Sequence, residues 1–310
     1  MNRISKILVI VDPSTRGRQP AVDKVALLAA GRSNASVELL ICDIASALND
    51  ELPPSARRLH PSNTELLDLL DELASPLRGQ GTEVTLRIIY GKSLHDTLLD
   101  YLRGSDADLV IKDTHHHSFA KRTFAKNTDW HLVRNCPMPL LMTNKKPWGQ
   151  PPTIVTAVDL NHGNPSAALL NRHILDFAAS LTGYLTGDLH IVHSFIPTAF
   201  AAIVRAGRQS MPREYSEAVQ VENSFRYCQI EQLGSSYGVS SQHLHVEMGT
   251  PRDCLKHTVE KYHTDLVVMG ASSHGWHRMV VGSTASTILE SLQCDILIVG
   301  PSEFTQSLPF

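Results

Sequence analysis

The segment at residues 269–284, MGASSHGWHRMVVGST, has the composition of an anion-binding loop. Small residues let backbone N–H groups approach an anion closely, and Arg278 adds a charged donor. Gly282, Ser283 and Thr284 then open a predicted helix, whose unpaired N–H groups and dipole favour a phosphate group. The segment therefore predicts phosphate binding. The alternative is an ordinary turn followed by a helix N-cap.

Two aspartates close strand-like runs that are rich in β-branched residues. Asp12 follows the run at 6–11, and Asp159 follows the run at 153–158. In an open parallel sheet, ligands bind beyond the carboxyl ends of the strands, so both aspartates are candidate ligand contacts. Gly249 ends another such run and is expected at the same edge. The alternative for both aspartates is a cap on the loop after the strand.

The histidine run at residues 115–117 suggests a zinc site, because imidazole is a common zinc ligand. Adjacent side chains diverge in an extended chain, so only His115 and His117 could share one metal ion. Further ligands would come from elsewhere in the chain, and the candidates are Asp12, His95, His131 and Cys136. The alternative is a solvated polar loop.

The sequence contains no complete catalytic motif. Gly270, Ser272 and Gly275 lack the G-x-S-x-G spacing of a nucleophile elbow, and no triad order can be assigned. Neither an H-E-x-x-H helix nor a Walker A loop is present. These residues leave enzymatic function uncertain and favour binding over efficient catalysis.

The chain contains an internal repeat, which predicts two domains of similar fold. Five strand-like runs occur twice in the same order: 6–13 with 153–160, 37–43 with 188–194, 86–93 with 245–250, 108–112 with 265–270, and 139–142 with 295–299. The proline-rich segment at 145–152 separates the two sets. We therefore expect one domain over residues 1–147 and a second over residues 152–310.

Helical patterns lie between the strand-like runs. Val22, Val25, Ala26 and Ala29 have the spacing of one helix face. Two capping-box-like starts are Ser93 with Asp96 and Thr250 with Asp253. Strands that alternate with helices predict an α/β fold, in which helices cover both faces of a parallel sheet.

Net charge and cysteine content restrict the kinds of binding partner and the cellular compartment that we expect. The formal net charge of −3 provides no general basic field, so we expect no nucleic-acid binding. No apolar run approaches the roughly 18 to 20 residues that span a bilayer, so we expect no membrane insertion. The five cysteines are scattered without a C-x-x-C pair, and no signal peptide is recognisable. Reduced thiols in the cytoplasm are expected.

The segment at 269–284 resembles the universal stress protein signature, G-x-x-G-x9-G-[ST], and the resemblance covers nearly the whole chain. Segments 128–139 and 145–148 are particularly similar to members that carry two such domains. The resemblance implies two doubly wound, parallel five-stranded sheets of the adenine nucleotide alpha hydrolase-like fold, each with strand order 3-2-1-4-5. It further implies that the two sheets pack face to face within the chain, and leaves a homodimer open.

The resemblance also implies a nucleotide site in the second domain. Asp159 would contact the adenine or ribose, His193 and Ser194 would line the adenine pocket, and Gly249 lies at the same edge. The ribose and phosphates would be surrounded by Met269, Gly270, Gly282, Ser283 and Thr284. Ser273 replaces an expected glycine and the loop is one residue short, so Gly275 would substitute with altered geometry. In the first domain, residues 112–117 and Asp129 replace the glycine pattern.

Two functional hypotheses follow. The first is a stress-response protein whose C-terminal domain binds ATP or another phosphorylated small molecule, with at most slow ATP hydrolysis. The second is a structural or interaction protein that binds no nucleotide and acts through partner surfaces.

Overall fold

A computed structural model describes residues 4–15, 17–44, 62–114, 122–160, 165–198, 213–271 and 292–300. In the first copy of the repeat the strands are β1 Lys6–Ile10, β2 Ser36–Asp43, β3 Glu83–Tyr90, β4 Leu109–Asp113 and β5 Leu140–Thr143. Its helices are α1 Pro20–Ala29, α2 Asn63–Gly79, α3 Leu94–Arg103 and α4 Arg122–Asn135.

The second copy follows the same order. Its strands are β6 Thr153–Ala157, β7 Asp188–Phe195, β8 Leu244–Met248, β9 Leu266–Gly270 and β10 Asp295–Val299. Its helices are α5 Pro165–Leu185, α6 Arg213–Ser235 and α7 Pro251–Lys261, with a 3-10 turn at Ser241–His243.

The described strands form a single ten-stranded sheet in the order β3-β2-β1-β4-β5-β10-β9-β6-β7-β8. Each half has the predicted order 3-2-1-4-5 with parallel neighbours, which confirms the fold class. The prediction that two sheets pack face to face is wrong. The halves join edge to edge through an antiparallel pairing of β5 with β10, in which Leu141 lies opposite Leu297. An unpaired strand edge exposes backbone donors and acceptors, and this pairing removes two such edges.

Side chains on the two faces of the sheet form two large cores, each of which runs through both copies, and a smaller third cluster lies beneath α6 in the second copy. Ile7 and Val9 point into the core beneath α1, α2 and α5, whereas Leu8 and Ile10 point into the core beneath α3, α4 and α7. This alternation is the two-residue period of a strand, here apolar on both sides because helices cover both faces.

Of the two helix N-caps that the sequence predicts, one forms and one does not. The Thr250 hydroxyl accepts a hydrogen bond from the Asp253 amide at 3.2 Å, as the start of α7 predicts. Ser93 makes no side-chain cap bond to α3, so the predicted box with Asp96 does not form there. The Ser93 hydroxyl instead lies 3.2 Å from Nδ1 of His95.

A buried ion pair fastens the two copies at their junction. Lys24 of α1 and Asp295 of β10 are 2% and 1% exposed, and Nζ lies 3.3 Å from Oδ2. Trp148 donates to the same carboxylate at 2.8 Å, and the Asn144 amide donates to its other oxygen at 2.8 Å. Lys24 also donates to the Lys146 carbonyl at 2.7 Å. The ammonium group therefore has partners from the linker as well as from the second copy.

Burial acts on both charges of this pair. Desolvation lowers the pKa of Lys24, although the Asp295 carboxylate opposes that change. Desolvation raises the pKa of Asp295 to about 6, although Lys24 and the donated hydrogen bonds oppose it. Each charge depends on the other for compensation, because a buried charge without a partner is strongly destabilising.

We expect Lys24→Met to lower the free energy of unfolding by about 3–5 kcal/mol, because it leaves the Asp295 carboxylate buried without its cation. The double variant Lys24→Met with Asp295→Asn removes both charges and should recover part of that loss. Urea unfolding of the two variants and of Asp295→Asn alone measures the coupling. Strictly additive losses would show that the pair contributes no coupling at the junction.

Candidate functional site

The strand order brings the predicted ligand residues of the second copy to one edge. Strands β9, β6 and β7 are neighbours, so their carboxyl ends lie side by side. Asp159 follows β6, His193 and Ser194 lie near the end of β7, and Met269 and Gly270 end β9. The topology thus assembles these five positions from three separate parts of the sequence.

An amide side chain holds the chain at the end of each copy's first strand. Asn171 of α5 accepts from the Asp159 amide at 3.0 Å and donates to the Asp159 carbonyl at 2.6 Å. In the first copy, Gln19 makes the same two bonds to Asp12, at 3.1 and 3.0 Å. We call each arrangement an amide clamp. Sequence reasoning missed both clamps, and their only signal is an amide residue near the start of the following helix.

The carboxylate of Asp12 caps its own loop. It accepts from the Ser14 amide and from the Ser14 hydroxyl, both at 2.9 Å, and from the Thr15 hydroxyl at 3.3 Å. In the first copy, Asp12 therefore acts as a cap on the loop after its strand, which is the alternative that the sequence left open. The side chain of Asp159 is exposed at the carboxyl edge of the second copy.

His193 is a buried contact between β6 and β7. Its side chain is 1% exposed, and Nδ1 lies 3.1 Å from the Val158 carbonyl and 3.4 Å from the Leu160 amide nitrogen. Its ring centroid lies 6.4 Å from that of Phe195. Ser194 is half-buried and points to the other face of the sheet. His193 thus fixes the backbone on which Asp159 is carried.

Gly249 and Gly270 each have a structural reason for being glycine. Gly249 has φ 148°, in the region that favours glycine, and a Cβ there would lie 3.0 Å from Sγ of Cys254. A Cβ on Gly270 would lie 2.7 Å from Cδ2 of Leu170 and 3.0 Å from Cδ1 of Ile174. Gly270 therefore allows α5 to pack closely against β9.

The first copy fills the corresponding positions with its own side chains. Lys112 and Asp113 stand on β4 where Met269 and Gly270 stand on β9. Nζ of Lys112 lies 2.6 Å from the Asp129 carboxylate. The Asp113 carboxylate accepts from the Ala21 amide at 2.6 Å, at the start of α1, and from the Thr143 hydroxyl at 2.7 Å. The first copy thus presents an internal ion pair and a carboxylate where the second has a methionine and a glycine.

Several predicted site residues lie outside the described residues: Gly275, Arg278, Gly282, Ser283, Thr284, His115 and His117. The zinc hypothesis therefore stays a prediction. Within the described ranges, no group of three or more His, Cys, Asp or Glu side chains is arranged to hold a metal ion. His95 and His131, both proposed as further ligands, stack on each other with ring centroids 4.3 Å apart.

The comparison with protein families decides the identity of the two copies. A model described as "Universal stress protein family" matches residues 3–144 and again residues 152–300. The chain belongs to the universal stress protein family. The repeat seen in the sequence and in the sheet is thus a tandem of two universal stress protein domains.

Full-length relatives share this tandem arrangement. Universal stress protein E of Escherichia coli (strain K12) is 23% identical over 98% of this chain and 96% of the relative. A universal stress protein E homolog of Haemophilus influenzae is 22% identical over 97% of this chain and 99% of the relative. The similarity to tandem members that the sequence indicated is confirmed.

Solved structures agree with the fold. A functionally unknown protein from Pseudomonas aeruginosa PAO1 has a TM-score of 0.71 at 24% identity, covering 98% of this chain and 95% of that one. A universal stress protein from Archaeoglobus fulgidus has a TM-score of 0.67 at 12% identity, covering 96% and 97%. At these identities the likeness supports the architecture alone.

None of the helices in the described ranges is both long enough and apolar enough to cross a membrane.

A histidine cluster that sequence reasoning missed lies at the amino end of β7 and β8 in the second domain. Nδ1 of His190 lies 2.9 Å from Nε2 of His245, and the His190 ring stacks on His243 with centroids 4.3 Å apart. The Tyr262 hydroxyl lies 3.4 Å from Nδ1 of His245. The available signal was the placement of His190 and His245 near the amino ends of two strand-like runs.

Protonation of this cluster is unfavourable in the folded protein. Burial, followed by the proximity of His243, lowers the pKa of His190 to about 4, although Asp188 opposes the change. Burial, followed by His190, Lys261 and His243, lowers the pKa of His245 to about 4. Both rings are therefore neutral near pH 7.

These depressed pKa values predict acid sensitivity. Unfolded histidine titrates near pH 6.5, so between about pH 6.5 and pH 4 the unfolded chain binds protons that the folded chain does not. The histidine contribution to the free energy of unfolding should fall over that window by several kcal/mol, at about 1.36 kcal/mol per pH unit for each ring, and should level off below pH 4. The raised pKa of Asp295 makes a smaller contribution of opposite sign between about pH 6 and pH 4, because there the folded chain binds the additional proton. Urea unfolding at a series of pH values measures the slope.

The test variant is the double substitution His190→Gln with His245→Gln. The control is His257→Gln, at an exposed position of α7. The double variant should flatten the pH dependence, whereas the His257 variant should keep it. An unchanged slope in the double variant would contradict a role for the cluster.

Proposed function

We propose that this universal stress protein binds ATP, another adenine nucleotide or a different phosphorylated small molecule at the carboxyl edge of its second domain. The observation that carries the proposal is the contrast between the copies. In the first domain, the Lys112–Asp129 ion pair and the Asp113 carboxylate lie at the carboxyl end of β4, whereas Met269 and Gly270 stand at the positions of Lys112 and Asp113 in the second domain.

Each residue of the proposed site has a chemical role. The Asp159 carboxylate is an acceptor for ribose hydroxyls or for the adenine amino group. Gly282, Ser283 and Thr284, at a predicted helix start, would donate backbone and hydroxyl groups to phosphates. Arg278 would add charge, and Gly275 would let the backbone approach the ligand. The sequence also predicts contacts from His193, Ser194, Gly249, Met269 and Gly270; the buried His193 would act by holding the backbone beside Asp159.

The proposal assigns no catalytic residue. Since the sequence carries no complete catalytic motif, we propose at most slow ATP hydrolysis. We also propose a cytoplasmic location, supported by five free cysteines, of which four are buried. We further propose that the chain divides into two domains, with the boundary at residues 147–152.

A second candidate is a structural or interaction protein that binds no nucleotide. One observation favours it: the backbone of Gly249 and the packing of α5 against Gly270 already account for both glycines. A small ligand is not needed to explain either residue. The two candidates differ in whether nucleotide stabilises the folded chain.

We expect ATP to raise the melting temperature of the full chain by a few degrees at about 100 times Kd, where binding adds about 2.7 kcal/mol. Asp159→Asn should abolish most of this shift, because it removes a charged acceptor at the ligand edge. Asp12→Asn is the matched control in the first domain and should leave the shift unchanged.

Gly282→Val should also abolish nucleotide binding, since its Cβ would occupy the space through which the phosphate approaches.

Inorganic phosphate and adenosine, tested separately, distinguish the parts of the ligand that are recognised. No stabilisation by any of the three compounds would contradict the nucleotide proposal and favour the interaction protein. An equal loss in Asp12→Asn and Asp159→Asn would contradict the asymmetry between the domains.

A further inference from the structure

A large cleft lies between helices α5 and α6 of the second domain. Its volume is about 1060 Å³, at the upper end of the range of small-molecule sites. We propose that this cleft binds an uncharged aromatic molecule that carries an N–H or O–H donor. The inference goes beyond the proposed nucleotide site and does not depend on it.

Part of the cleft wall comes from a helix that is longer in the second copy than in the first. Helix α5 has 21 residues, whereas its counterpart α1 has 10. α1 begins directly after its clamp residue Gln19, but α5 begins at Pro165, about one and a half turns ahead of Asn171. Pro165 and Ala168 belong to these additional turns, and both line the cleft. The second domain thus has a wall that α1 does not provide in the first.

The cleft adjoins the proposed nucleotide site but lies largely outside it. Asp159 is the shared residue, and the other lining residues come from Leu160, α5, α6 and the two residues after α6. None of the lining residues belongs to β7 or β9, which carry His193, Ser194, Met269 and Gly270. A ligand in the cleft would therefore lie against the outer helices rather than at the strand ends.

The apolar part of the lining suits an aromatic ring. Phe225 of α6 is a large apolar side chain that is nonetheless 55% exposed, and it lines the cleft with Leu160 and Leu233. Aromatic side chains favour offset or edge-to-face contact with another ring. A bound aromatic molecule would remove Phe225 from water.

The polar part of the lining calls for a hydrogen-bond donor. Oε1 of Gln229 is buried and has no hydrogen-bond partner among the described residues, and the side chain lines the cleft. A buried acceptor without a partner is destabilising. Rotation about the soft terminal torsion of Gln229 would turn this acceptor toward a ligand in the cleft. An N–H or O–H group on the ligand would then satisfy it.

The charges of the lining disfavour an anion. Asp159 and Asp176 contribute two carboxylates, whereas Arg172 contributes one cation. The Tyr237 hydroxyl donates to Asp176 at 3.0 Å, and burial together with that carboxylate raises the pKa of Tyr237 to about 12, so the phenol is neutral near pH 7 and adds no charge to the lining. The lining therefore disfavours an anionic ligand such as a nucleotide, and the apolar contacts lead us to assign the cleft to an uncharged molecule.

The probe is 1-aminoanthracene, an uncharged fluorescent aromatic amine, added to the full chain. We expect saturable binding at one molecule per chain. Cys228 lines the cleft and is the exposed one of the five cysteines, so bound probe should also slow its reaction with a thiol reagent severalfold. Excess ATP should leave the binding unchanged.

The variants Phe225→Ala and Gln229→Leu should each weaken probe binding by about fivefold or more. The matched control is Val221→Ala, one turn earlier on α6, which is 71% exposed and does not line the cleft. Urea unfolding of each variant confirms that the fold is retained. The proposal would be overturned by unsaturable binding, by equal weakening in the control, by unprotected Cys228, or by displacement with ATP.

Discussion

The antiparallel pairing of β5 with β10 is the contact on which the arrangement of the two domains depends. Without it, each five-stranded sheet would end in an edge strand with unsatisfied backbone groups. The Lys24–Asp295 ion pair and the Trp148 hydrogen bond lie at this junction and are buried with it. Because a buried charge tolerates no loss of its partner, these contacts fix the register in which the domains meet.

The same pairing separates the functions of the two domains. Since β5 and β10 run in opposite directions, the carboxyl edges of the two half-sheets point to opposite ends of the molecule. A ligand bound at the carboxyl edge of one half-sheet therefore does not contact the carboxyl edge of the other half-sheet. The first domain can close its edge with the Lys112–Asp129 pair while the second keeps a different edge, and both retain the amide clamp.

Sequence reasoning was most successful where a feature depends on periodicity. The alternation of apolar runs with helices predicted the α/β class, and the family resemblance supplied the strand order. Sequence reasoning failed where the result depends on which surfaces of the two domains meet. The predicted face-to-face packing was wrong, because an apolar pattern does not indicate which strand edges pair. The contact of His190 with His245 joins residues 55 apart in sequence, and a single sequence does not indicate such a pair, whereas the Asn171 clamp is local and left only the weak signal of an amide in the following helix.

Native-state hydrogen exchange of the β5 and β10 amides tests most directly whether the junction makes one cooperative structure of two domains. If it does, the amides paired around Leu141 and Leu297 should open with the same free energy as those of the central strands β1 and β6. Amides at β5 and β10 that open at much lower free energy, while the two halves unfold separately, would contradict this account.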